Sequence, residues 1–84
     1  MLIVSIHPRA EKELFNIPKK FRDAIIREVE SLKKFSHPHQ HRQIIKLGGR
    51  ENRYRLRVGD YRVKMELRDE VVRIYEIKHR QAGY

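Results

Sequence analysis

The stretch Arg53-Tyr54-Arg55-Leu56-Arg57-Val58, Gly59-Asp60, Tyr61-Arg62-Val63-Lys64-Met65-Glu66-Leu67-Arg68 decides the fold. Polar and apolar residues alternate strictly through both halves, the pattern of two half-buried strands, and Gly-Asp between them suits a two-residue type II′ or I′ turn. A turn closed there pairs Val58 with Tyr61, Leu56 with Val63 and Tyr54 with Met65 on one face. The opposite face then pairs Arg57 with Arg62, Arg55 with Lys64 and Arg53 with Glu66. Like charges directly opposite on a sheet cost about 0.2–1 kcal/mol per pair. Long basic stems can simply cover an exposed strand, but a surface selected for stability alone would set acids against those bases. The pattern implies a polyanion on that face, and the preference for Arg over Lys suits bidentate contact with phosphate.

Working outward, Leu2-Ile3-Val4-Ser5-Ile6 is a β-branched run that predicts an opening strand. His7-Pro8 ends it, and Pro8 suits the first position of a helix, where its missing N–H costs nothing. Ala10, Leu14 and Ile17 recur at helical spacing for about two turns until Pro18, which starts a second helix. From Lys19 to about Phe35 the apolar positions Phe21, Ile25, Val29 and Leu32, with Ile26 beside them, form one stripe of an amphipathic helix. Ser36 to His41 reads as a polar loop, Gln43 to Leu47 as a strand ended by Gly48-Gly49, and Val71 to Ile77 as the last strand after the turn at Asp69-Glu70. Lys78 to Tyr84 reads as a polar, irregular tail. The order β-α-α-β-β-β-β predicts an α+β fold, with two N-terminal helices packed on one face of a small antiparallel sheet. Its other face is left to Arg53, Arg55, Arg57, Arg62 and Lys64.

Eighty-four residues allow one domain, residues 1–84, with no room for a second core. Twenty Lys and Arg against eleven Asp and Glu give a formal charge of +9, which favours nucleic acid or another anionic surface as partner. Without cysteine neither a disulfide nor a thiolate zinc site is available. No apolar run has the length of a membrane span and the N-terminus lacks a signal-peptide layout, so a cytoplasmic protein is expected. His37, His39 and His41 alternate in a way that can seat a metal, but Pro38 interrupts them and no Asp or Glu lies close by in sequence. A solvated loop with no metal and no cofactor is the expectation.

Lys46-Leu47-Gly48-Gly49, followed by Tyr54 to Val63, resembles the central signature of the RelE/ParE toxin superfamily of toxin–antitoxin systems. The opening strand, Pro8-Arg9-Ala10-Glu11-Lys12-Glu13-Leu14 and Pro18-Lys19-Lys20-Phe21-Arg22 are similar to the same family. So is the ending His79-Arg80-Gln81-Ala82-Gly83-Tyr84, with tyrosine four residues after arginine. The resemblance runs nearly end to end. It implies a RelE-like fold and, on the RelE branch, a metal-independent endoribonuclease (an mRNA interferase) that enters the ribosomal A site, cleaves messenger RNA by 2′-hydroxyl attack and is neutralised by a RelB-like antitoxin. It carries the family's basic positions onto Arg55, Arg57, Arg62 and Arg80, and its tyrosine onto Tyr84. Met65 stands where relatives have an aromatic, and Gln81-Ala82-Gly83 where they often carry charge.

Chemistry of that kind needs a base for the 2′-hydroxyl, cations for the phosphorane and an acid for the leaving oxygen. Arg62 and Arg80 are the expected charge stabilisers; Arg53, Arg55, Arg57 and Lys64 are the expected RNA contacts. Tyr84 is the first candidate for the base, lowered by neighbouring arginines; His79, with an ordinary pKa nearer neutrality, and Glu66 are the alternatives. Glu66 otherwise reads as a cross-strand ion pair with Arg53. Two rival functions remain open: DNA gyrase poisoning, as on the ParE branch, and a non-catalytic module that binds RNA or antitoxin.

Overall fold

A computed structural model of the chain describes residues 1–49 and 52–81. The elements are β1 (Ile3–Ile6), α1 (Pro8–Phe15), α2 (Lys19–Ser31), β2 (Ile44–Lys46), β3 (Arg53–Val58), β4 (Tyr61–Arg68) and β5 (Val71–His79). The strands form one sheet in the order β1-β5-β4-β3-β2, with the helices on one face, so the α+β class follows the sequence pattern. One pair differs from an all-antiparallel sheet: β1 lies parallel to β5, with Ile3 opposite Val71 and Ile6 opposite Ile74. The helical hairpin carries the chain from β1 to the far edge, and the meander β2-β3-β4-β5 then returns it beside β1.

Pro8 opens α1, and the His7 ring caps it, Nδ1 accepting from the Arg9 N–H at 3.0 Å. The helical stretch after Pro18 is shorter than its apolar stripe suggests. Ser31 Oγ bonds back to the Glu28 carbonyl at 2.6 Å, a contact that competes with helical geometry, and the chain tightens into a 3₁₀ turn at Leu32–Lys34. Of the stripe, Ile25 and Leu32 are fully buried, while Phe21 and Ile26 stay substantially exposed. The core joins Leu14, Ile17, Ile25 and Leu32 to Leu56, Val63, Met65, Val72, Ile74 and Ile77. Among the described residues no helix is long and apolar enough to cross a membrane.

The central hairpin has the register the alternation demands, from Val58 opposite Tyr61 to Arg53 opposite Glu66. Gly59 takes φ +58° while Asp60 does not go positive, the signature of a type II′ turn. The loop at 36–43 is more ordered than its composition implies. His37 caps a 3₁₀ turn at Pro38–Gln40, and its Nε2 lies 3.3 Å from the Tyr54 hydroxyl. His41 is not a solvated loop residue: it is buried, with Nε2 3.0 Å from Glu28 Oε1 and Nδ1 accepting from the Gln43 N–H.

β5 runs past Ile77 to His79 and carries a bulge. Lys64 faces Glu76 but Met65 faces Ile74, leaving Tyr75 as the extra residue. This explains why the buried positions of β5 switch from spacing two (Val72, Ile74) to three (Ile77).

Candidate nucleic-acid cleavage face

The sheet face away from the helices is built in rows across β3, β4 and β5. Arg57, Arg62 and Lys78 form one row; Arg55, Lys64 and Glu76 the next; Arg53, Glu66 and Arg73 the third. The like-charge pairs read from the hairpin are present, and β5 adds a further base, Lys78, opposite Arg62. β5 also brings acids that the hairpin alone does not reveal. Lys64 Nζ lies 3.2 Å from Glu76 Oε2. Arg53 Nε lies 3.4 Å from Glu66 Oε2, and Arg68 reaches the other Glu66 oxygen at 3.9 Å. Glu66 is thus an ion-pair partner in this structure.

Positive charge therefore concentrates at the turn end of the face. Among the described residues no carboxylate lies within ion-pair distance of Arg55 or Arg57. Arg62 feels this directly: partial burial and then the fields of Arg55, Arg57 and Arg80 pull its guanidinium below its usual pKa. The Arg80 N–H donates to the Asp60 carbonyl at 2.8 Å, and its Nε lies 4.0 Å from Asp60 Oδ1. The hairpin turn thus pins Arg80 beside the arginines of β3 and β4. A pocket of about 230 Å³ lies here, lined by Arg55, Arg62, Lys64, Glu76, Lys78 and Arg80 together with Leu47 and His79.

Lys78 remains cationic there. Its hydrogen bond to Glu13 of α1, then the charges of Glu13 and Glu76, raise its pKa, and the Nζ to Glu13 Oε2 distance is 2.6 Å. The three rows thus form a graded surface, richest in positive charge near Gly59 and more closely balanced by acids toward Arg68.

The candidates for the base are divided. His79 is the direct partner of Tyr61, and its ring stands edge-on to that tyrosine at 5.1 Å. Tyr61 in turn meets Phe21 of α2 at 5.8 Å. The His79 ring is thus turned toward Tyr61, with Nδ1 accepting from the Gln81 N–H, while the residue as a whole still contributes to the wall of the arginine pocket. Tyr84 lies outside the described residues. Among the described residues no group of three or more His, Asp or Glu side chains is placed to hold a metal ion.

Sequence reasoning found Arg55, Arg57, Arg62, Lys64 and Arg80, which the fold brings together. It missed Glu76, Lys78, Asp60 and Glu13. The lapse in alternation at Tyr75-Glu76 was the available signal, since a bulge there is what turns Glu76 toward Lys64.

Comparison with known proteins agrees with this architecture. The family model for the ParE toxin of type II toxin–antitoxin systems matches residues 4–84. A curated protein of Methanocaldococcus jannaschii assigned as toxin RelE1 is 33% identical over 87 residues, covering 96% of this chain and 92% of that protein. The toxin in the RelB–RelE antitoxin–toxin complex from Methanococcus jannaschii superposes with a TM-score of 0.82 at 25% identity, covering 95% of this chain and 94% of that one. The archaeal RelE–RelB complex from Pyrococcus horikoshii gives 0.78 at 31% identity, with 94% of each chain covered. With the arginine-lined face and the mixed sheet on which it is built, the chain belongs to the RelE/ParE superfamily of toxins of toxin–antitoxin systems.

Proposed function

We propose that this RelE-type toxin is an endoribonuclease that cleaves messenger RNA in the ribosomal A site and so inhibits translation. The observation that carries the reading is the meeting of Arg55, Arg62 and Arg80 around one pocket, with Arg57 opposite Arg62 on the adjoining strand, where burial and then the fields of the other three arginines lower the pKa of Arg62. An RNA phosphodiester would bring further negative charge to this excess of cations. Arg55 and Arg57 hold the phosphates flanking the scissile bond. Arg62 and Arg80 stabilise the charge that develops on the phosphorane, where fixed donors act most strongly. Arginine gives up its proton too reluctantly to serve as the base. A base removes the proton of the 2′-hydroxyl, its oxygen bonds to phosphorus, and the bond to the 5′-oxygen breaks as that oxygen takes up a proton. The fragments end in a 2′,3′-cyclic phosphate and a 5′-hydroxyl. Tyr84 is the proposed base, since the His79 ring is turned toward Tyr61 and its Nδ1 already accepts from the Gln81 N–H.

Two of the similar toxins were solved with RelB. By analogy a RelB-like antitoxin restrains this toxin, its acidic side chains competing with RNA for the arginines. The action is assigned to the cytoplasm, where translating ribosomes are.

A second reading, poisoning of DNA gyrase, draws on the matched ParE family model. Purified toxin is added to translating ribosomes and new messenger ends are mapped, with a gyrase supercoiling assay in parallel. New ends bearing cyclic phosphate support the nuclease; gyrase inhibition with intact messenger supports the alternative and overturns the first. RNA binding should also weaken steeply with added salt through counterion release; a flat salt response contradicts a phosphate site.

A further inference from the structure

A second pocket lies on the same sheet face, farther along the strands from the hairpin turn. It measures about 430 Å³ and is lined by His7, Arg9, Arg53, Glu66, Arg73 and Tyr75. Its aromatic wall exists because of the bulge. Regular alternation back from the buried Ile77 would send Tyr75 toward the helices; the extra residue instead leaves Tyr75 and Glu76 on the open face. The Arg53 guanidinium sits 4.7 Å from the centre of the Tyr75 ring, and Glu66 anchors that guanidinium at 3.4 Å. An aromatic ring and a tethered planar cation are the surfaces on which nucleobases stack.

The electrostatics separate this pocket from the phosphate site. Glu66 repels a phosphate, yet a carboxylate accepts well from the exocyclic amino group of a base. At about 3.4 Å per residue, the Arg53–Glu66 row lies roughly 14 Å along the strands from the Arg57–Arg62 row. That separation is within reach of nucleotides next to a phosphate held by Arg62. We propose that the Tyr75 pocket is a nucleobase subsite, taking an amino-bearing base (adenine, cytosine or guanine) of the same RNA strand in preference to uracil. The proposal rests on the reading of the arginine face as an RNA site, and makes Tyr75 and Glu66 specificity determinants of it.

The probe is a set of short RNA oligonucleotides with a 2′-deoxy sugar at the cleavage position and one flanking base varied. They are titrated into ¹⁵N-labelled toxin and followed by amide and ring shifts. Cytosine in the varied position should move Tyr75, Arg53 and Glu66 in addition to Arg62, and uracil should bind several-fold more weakly. Tyr75→Leu should lose roughly tenfold in affinity while Tyr75→Phe keeps it, since stacking survives without the hydroxyl. Glu66→Gln should bind uracil and cytosine alike. Shifts confined to the arginine cluster, or equal affinity in Tyr75→Leu, overturn the subsite. Ribosomal cleavage by the same variants keeps the two readings apart. Cleavage with unchanged base preference in Tyr75→Leu removes the subsite and leaves the nuclease. Absence of cleavage by wild-type toxin, with Tyr75-dependent binding retained, removes the nuclease and leaves the subsite.

Discussion

Glu13 of α1 accepts a hydrogen bond from the backbone N–H of Ile77 at 3.0 Å, so a helix side chain completes the edge of a strand. β1 pairs with β5 only from Val71 to Ile74, and past that point β5 would present unpaired amides along its outer edge. Glu13 fills one of them and uses its other oxygen to hold Lys78. The segment that leads to His79 and Arg80 is therefore fixed from two sides, by α1 at Ile77 and by the hairpin turn at Asp60. The position of Arg80 in the charged cluster is a consequence of both contacts.

Glu13→Ala should destabilise the domain by about 1–3 kcal/mol, the cost of leaving a buried donor unsatisfied. Glu13→Gln, whose amide oxygen still accepts from Ile77, should recover most of that loss. Urea unfolding of the two variants decides it. Equal stability of Glu13→Ala and the wild type shows that the edge amide finds water at no cost.

Arg62→Ala should abolish toxicity or messenger cleavage while the domain stays folded. Removing the guanidinium relieves repulsion from Arg55, Arg57 and Arg80, so thermal stability should hold or rise slightly. An unfolded variant would assign Arg62 to structure and remove it from the chemistry.

The hairpin was readable from its own residues, because strict alternation and Gly59-Asp60 fix both the register and the face of every side chain from Arg53 to Arg68. What β5 adds was not. Which base meets which acid depends on the bulge at Tyr75, and that one-residue shift sets Glu76 against Lys64 and puts the His79 ring beside Tyr61 rather than beside Arg62. β1 joins β5 through a pairing almost seventy residues away in sequence, which no local pattern encodes. His41 looked solvated because its partner Glu28 stands thirteen residues earlier, on α2. Local periodicity recovers local pairing, and the parts that failed are those where tertiary contacts choose the neighbour.

Stability should fall on mild acidification through His37. Burial first, then the charges of His39 and Lys46, lower its pKa below the ordinary 6.5. The folded chain thus favours the neutral ring, whose Nδ1 accepts from the His39 N–H to cap the Pro38–Gln40 turn and whose Nε2 meets the Tyr54 hydroxyl. A group with a depressed folded pKa contributes stability that is present above 6.5 and lost as pH falls through the folded value. His37→Asn can still cap the turn but does not titrate. The wild type should therefore lose stability relative to this variant between pH 7 and about pH 5. Parallel pH profiles of unfolding would contradict the assignment.

Tyr84 separates proton transfer from stacking. As general base, it should lose about a hundred- to ten-thousand-fold in cleavage rate on Tyr84→Phe with RNA affinity almost unchanged, since the ring remains and only the hydroxyl is gone. As a stacking platform, it should tolerate Phe and weaken binding by about 1–3 kcal/mol on Tyr84→Ala. Single-turnover cleavage on programmed ribosomes, paired with binding to a 2′-deoxy oligonucleotide, reads the two quantities independently. The first pattern is expected, because Glu66 is paired with Arg53 and Arg68 and does not line the arginine pocket, and the His79 ring faces Tyr61. If both substitutions are silent the tyrosine has no role, and Glu76, which borders the arginine pocket, becomes the base to test through Glu76→Gln.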